Sequence, residues 1–102
     1  MNPEGTLDRR TVDERLRSDL KSLRALGVRS LALFGSVARD EARAGSDVDV
    51  LIEFEPPIRY ERYFEVKERL EALLGCRVDL LTVGAMREEL RVTIERDLHR
   101  VA

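Results

Sequence analysis

Four residues in a fixed arrangement carry most of the chemistry this chain offers: Gly35 and Ser36, then ten residues, then Asp47 and Asp49 flanking Val48. Glycine lets a backbone approach a ligand closely, and a turn that opens a helix has unpaired N–H groups that suit a phosphate. The Ser36 hydroxyl adds a donor. Two aspartates at i and i+2 of a strand project from the same face, roughly 6 to 7 Å apart at about 3.3 Å per residue. Paired hard oxygens suit Mg²⁺, which takes one or two carboxylates and completes its octahedron with water and substrate phosphate. The arrangement therefore points to a divalent cation and a nucleoside triphosphate together. A third carboxylate would complete a two-metal site. Asp79, in an otherwise apolar strand, fills that place if its strand lies beside that of Asp49; the alternative is an aspartate facing water at a sheet rim.

Those residues need a scaffold that sets a turn beside two strands. Val12, Leu16, Leu20, Leu23 and Leu26 recur at helical spacing after the capping-box pattern Thr11–Glu14 and stop at Gly27, which predicts one helix. Residues 28–34 (VRSLALF) form a first strand with both faces covered, and residues 36–43 a turn or two of helix. Residues 47–55 alternate as a second strand, with Val48, Val50, Ile52 and Phe54 opposite Asp47, Asp49, Leu51, Glu53 and Glu55. Pro56-Pro57 ends it, so Glu53 and Glu55 belong to a solvated strand end. Tyr60, Tyr63, Phe64, Lys67, Leu70, Leu73 and Leu74 trace a helix closed by Gly75. Residues 76–83 are a third strand, and residues 85–99 a last helix carrying Met86, Leu90, Ile94 and Leu98. The predicted class is α+β: two layers, a small mixed sheet with helices on its oily face and the acidic face of strand two left for chemistry. Residues 1–10 read as a flexible lead-in and residues 11–102 as one domain.

Composition narrows the function. The 102 residues are 37% charged, with 18 Lys+Arg against 20 Asp+Glu, a net charge of -2 and a pI near 5.5. Strong direct nucleic-acid binding through a basic field is not expected. A single cysteine, Cys76, excludes an internal disulfide framework and a multi-cysteine zinc cluster. No apolar run reaches membrane-spanning length, and the first residues lack the basic flank and oily core of a secretory signal; a cytoplasmic protein is expected.

Other polar residues divide between chemistry and packing. Arg39, just past Ser36, suits a phosphate contact or a salt bridge to Asp40, to an acid near Arg43 or to one on strand two. Tyr60 and Tyr63 are candidates for modification or for stacking on a base, but the apolar stripe assigns Tyr63 to the core. His99 reads as a helix-end cation or surface residue, and Cys76 as buried.

Residues 34–54, FGSVARDEARAGSDVDVLIEF, resemble the signature of the minimal nucleotidyltransferase (MNT) domain, a small relative of the DNA polymerase β-like nucleotidyltransferases. The Gly-Ser-x10-Asp-x-Asp portion is its most specific part. With glycine near 7% of residues and serine and aspartate of similar abundance, four fixed residues coincide in about one chain per thousand of this length. The resemblance runs from the first helix to the last and implies a polymerase-β-like palm. It also implies ATP as nucleotide donor and Mg²⁺, two ions in the expected site, held by Asp47, Asp49 and Asp79. Gly35, Ser36 and Arg39 fall at the nucleotide. It further implies an antitoxin paired with a HEPN-domain toxin, a hetero-oligomer in which AMP passes from ATP to a toxin tyrosine. Two alternatives remain: transfer to a small-molecule hydroxyl, and a non-catalytic antitoxin that acts by binding alone. The chain departs from many relatives at one point, having Arg39-Asp40 where they have Arg-Gly.

Overall fold

A computed structural model describes residues 8–43 and 45–102. The chain begins with helices α1 (Arg9–Ser18) and α2 (Leu20–Ala25), followed by strand β1 (Val28–Phe34) and a four-residue helix α3 (Gly35–Ala38). Strand β2 (Val48–Phe54), helix α4 (Tyr60–Leu74) and strand β3 (Val78–Thr82) form a β-α-β crossover. Helix α5 (Glu88–Arg96) and a short strand β4 (His99–Arg100) complete it. The sheet order is β3-β2-β1-β4, with β2 parallel to β3 and β1 antiparallel to both β2 and β4. This is the expected α+β architecture with a mixed sheet.

The alternation of β1 and β2 sorts their side chains between two apolar clusters. Leu31, Leu33, Val48, Val50, Ile52 and Phe54 face Val12, Leu16 and Leu23 of α1 and α2 and Val66, Leu70 and Leu74 of α4, all buried. Full burial of each such side chain contributes about 1.5–3 kcal/mol, so this layer carries most of the stability. On the other face Ala32 and Leu51 meet only Ile94 of α5, with Phe34, Leu81, Val83 and Met86 around them. That small patch leaves the neighbouring end of the sheet, where Asp49 stands, open.

Several expectations change. The predicted first helix divides at Asp19, whose carboxylate takes both Nε and Nη2 of Arg69, at 2.6 and 2.8 Å, and so anchors the break to α4. Helix α1 starts at Arg9, two residues before the expected boundary, because Asp8 caps it by accepting from the Thr11 N–H at 2.7 Å. The rest of the expected lead-in, residues 1–7, lies outside the described residues. In α4 the core face is Val66, Leu70 and Leu74, while Tyr60 and Phe64 are exposed. The last helix is shorter than residues 85–99 and covers part of the sheet's second face. His99 belongs to β4 rather than to a helix end, and its Nε2 lies 3.0 Å from Asp13 Oδ1. No helix among the described residues is long and apolar enough to cross a membrane.

Candidate active site

The parallel register of β2 and β3 sets Asp49 directly beside Asp79, one residue along from Val48 beside Val78. Both carboxylates stand on the face away from the main core, Asp79 exposed and Asp49 half-buried. Burial pushes the Asp49 carboxyl up to about 6, the charges of Asp79 and Asp47 push the same way, and protonated Asp49 can donate to Asp79. Two like charges this close disfavour ionisation of at least one. Arg39 opposes the effect only in part. Asp79 is thus not a solitary rim aspartate.

Gly35 closes the site from the side of β1. Phe34 pairs with Asp49 across the antiparallel ladder, and the chain turns at once into α3 with Gly35 at φ +69°. A β-carbon on Gly35 would collide with the Asp49 carboxylate, falling 3.1 Å from its Cγ and closer still to Oδ2. The glycine is required twice, by the left-handed backbone and by the carboxylate packed against it. Ser36 follows, half-buried, at the first turn of α3, where the leading N–H groups have no partner within the helix. The Gly-Ser turn and the Asp pair are therefore one locus.

Asp47, just before β2, is exposed, and its Oδ1 lies 3.4 Å from Arg77 Nε. Among the described residues no three His, Cys, Asp or Glu side chains already surround a common point suited to a metal ion. Two of the three expected ligands are gathered; the third is turned to a cation. The donors are hard oxygens whose crowding raises Asp49, and a divalent cation would relieve that crowding. Releasing Asp47 breaks a solvent-exposed ion pair, a class worth less than about 1 kcal/mol. The residues fit a divalent cation on those terms.

Arg39, the C-cap of α3, donates from Nε to Glu41 Oε1 at 2.9 Å and from Nη1 to Asp97 Oδ2 at 3.2 Å. These acids hold it at the mouth of the site. Asp40 has φ +61°, the left-handed conformation that glycine adopts without cost, and its Oδ1 accepts the Arg9 N–H at 3.0 Å. Aspartate is among the few side chains tolerated there. The departure from Arg-Gly therefore keeps the turn and adds a tie to α1.

The remaining residues take packing roles. Tyr63 donates its hydroxyl to the Leu80 carbonyl at 2.7 Å. Glu53 accepts from Ser30 Oγ at 3.2 Å and is half-buried, while Glu55 sits in solvent 3.8 Å from Arg29. Burial pushes the Cys76 thiol up, and the charges of Asp47 and Glu71 add to it, so it stays protonated. The pairing of Arg39 with Glu41 is the expected salt bridge to an acid near Arg43, whereas sequence reasoning missed Asp97 and Arg77; for Arg77 the sequence held a signal. Asp47-Val48-Asp49 and Arg77-Val78-Asp79 share one alternation, so the register that joins Asp49 to Asp79 also levels Asp47 with Arg77.

The sequence and the fold have relatives among known proteins. The family described as "Nucleotidyltransferase domain" matches residues 13–101. The chain is 39% identical over 88 residues to the protein adenylyltransferase MntA of Thermococcus cleftensis, covering 85% of this chain and 89% of that one. Among solved structures, a "putative minimal nucleotidyltransferase" superposes with a TM-score of 0.79 at 33% identity, over 94% of this chain and 96% of the other. A chain of the complex between the tri-AMPylated HEPN toxin and the MNT antitoxin of Shewanella oneidensis shares the fold, with a TM-score of 0.63 at 16% identity, over 88% and 71% of the two chains.

Proposed function

Because the chain belongs to the nucleotidyltransferase domain family, we propose that it transfers AMP from ATP to a tyrosine hydroxyl of a HEPN-type toxin and so acts as its antitoxin. The observation that carries this reading is the apposition of Asp49 and Asp79 against the Gly35 turn. A relative named a protein adenylyltransferase, matched over 85% of this chain, supports a protein acceptor.

Each residue has a task in that reaction. The N–H groups of the Gly35-Ser36 turn and the Ser36 hydroxyl hold the triphosphate, and Arg39, poised between Glu41 and Asp97, adds a positive charge at its edge. Asp47, Asp49 and Asp79 would hold Mg²⁺, two ions in this reading, which supplies charge neutralisation at the phosphates and a more acidic acceptor hydroxyl. The acceptor oxygen attacks the α-phosphorus in line, the α–β P–O bond breaks and pyrophosphate leaves. The acceptor's proton passes to a carboxylate of the Asp49–Asp79 pair.

The test is incubation with α-labelled ATP, Mg²⁺ and the HEPN partner. Label on the partner, lost with Asp49→Asn, is the expected result. Label on a small acceptor alone would indicate a small-molecule transferase, and an unlabelled but tightly bound and inhibited partner would indicate neutralisation by binding.

A further inference from the structure

Tyr60 is one of two tyrosines and has no part in the site described above. Tyr63 is half-buried and spends its hydroxyl on Leu80, whereas Tyr60 is 87% exposed and its hydroxyl meets no partner among the described residues. It stands at the first position of α4. Its neighbours Ile58 and Phe64 are also exposed, at 66% and 59%. With Phe54, Arg59, Tyr63 and Thr82 they line one shallow groove. Arg59, which lines that groove, and Arg62, two residues beyond Tyr60, form no ion pair among the described residues, unlike Arg39, Arg69 and Arg77.

The surface this patch complements is the active site of another copy. That site presents Asp47, Asp49 and Asp79 and would hold an anionic nucleotide, so the exposed phenol and the unpaired Arg59 guanidinium that shares its groove meet opposite charge there. Ile58 and Phe64 supply apolar area to bury beside it. Within one chain the encounter is excluded. Asp49 is near the start of β2 and the groove lies at its end, beside Phe54, about 16 Å away at about 3.3 Å per residue, which is more than a tyrosine side chain spans.

We infer that Tyr60 is a self-modification site, adenylylated in trans by a second copy of this chain. The inference rests on the adenylyltransferase reading above. The Tyr60 phenol oxygen forms a bond to the α-phosphorus of ATP held by the other copy, the α–β P–O bond breaks and pyrophosphate departs. The phenolic proton goes to a carboxylate of that copy's Asp49–Asp79 pair and then to solvent. The added phosphodiester is an anion in the groove that Arg59 lines, which favours the product. It also caps the exposed groove with a bulky polar group.

The test uses the purified full chain with ATP and Mg²⁺, followed by intact mass and peptide mapping. One added AMP on Tyr60 is expected, absent from Asp49→Asn and from Tyr60→Phe incubated alone. Mixing unlabelled Tyr60→Phe with isotopically heavy Asp49→Asn separates donor from acceptor: AMP is expected on the heavy chain only. Reversing both unpaired charges, Arg59→Glu with Arg62→Glu, should slow self-transfer at least about tenfold, with transfer to the HEPN partner unchanged. AMP mapped to another residue, wild type labelled but the heavy chain unlabelled in the mixture, or an unaltered rate after charge reversal overturns the inference. If the partner is labelled and this chain is not, the inference fails and the transferase reading stands. If neither is labelled, both fail.

Discussion

The two faces of β2 are built from alternate residues of one seven-residue strand, yet they obey different rules. Toward α1, α2 and α4, Val48, Val50, Ile52 and Phe54 are all buried in one continuous apolar layer. On the other face Asp49 and Glu53 flank Leu51, the one residue covered by α5. The first face gathers groups that attract one another's company and excludes water. The second crowds carboxylates that repel, at a point where a glycine has given up its side chain to let one of them in. Stability is concentrated on one side of a strand and unsatisfied charge on the other. The strand can hold the second because the first fixes its register.

The largest expected effect tests the charged face. On the proposed reading Asp49→Asn removes a metal ligand and a proton acceptor while keeping the shape, and should lower AMP transfer by about a thousandfold or more. Single-turnover assays with labelled ATP measure it, and a loss under tenfold would shift the chemistry away from this face. Ile52→Ala tests the opposite face three residues along. Ile52 is fully buried, so the truncation should cost about 2–5 kcal/mol of unfolding free energy. Transfer per folded molecule should stay unchanged, as denaturant titration paired with activity of the folded fraction would reveal. If both substitutions cost activity and stability alike, the division between the faces is wrong.

Gly35→Ala brings the faces into conflict at their junction. A methyl at φ +69° is strained, by about 1–3 kcal/mol, and it displaces the Asp49 carboxylate from Asp79. The expected outcome is a modest loss of stability with a loss of transfer larger than that of Ser36→Ala. On the proposed reading the serine substitution removes only one hydrogen bond, to the triphosphate, about 1.5–3 kcal/mol or roughly tenfold to a hundredfold in rate.

The core face was the more legible of the two. Alternation in residues 47–55 gives the second strand and its inward side, because water exclusion acts on every second residue regardless of what lies across the sheet, and the short apolar run of residues 28–34 gives the first strand without saying which side faces the main core. The Gly-Ser-x10-Asp-x-Asp spacing gives the site, since turn and strand are local. Features fixed by distant partners stayed hidden. Asp19 breaks the first helix through Arg69, fifty residues away. His99 and Arg100 form a strand only because β1 offers them an edge. The core face of α4 runs through Val66 instead of Phe64 because the sheet, and no periodicity within the helix, decides which flank of a wide apolar stripe is covered. Asp47 is held by Arg77 through a register that two strand sequences read singly do not give.

The smallest effect sharpens the comparison most, because it has a sign that packing alone does not supply. Asp49 titrates near 6 in the fold against 3.8 as the ordinary value, chiefly from burial and then from Asp79 and Asp47. A carboxyl raised in this way binds its proton more tightly when folded, so its contribution favours the fold below about pH 4 and is lost as pH climbs through 6. At pH 8 the metal-free wild type bears the full penalty of the ionised carboxylate and Asp49→Asn bears none. Two units correspond to about 3 kcal/mol, and solvent reaching the half-buried group reduces this to about 1–2 kcal/mol. In chelator, the variant should therefore melt above the wild type at pH 8, with the gain closing as pH falls toward 4. Adding Mg²⁺ at pH 8 should raise the wild type and leave the variant nearly unmoved. A gain equal at both pH values would mean that asparagine packs better there and that repulsion on this face is not what the fold endures.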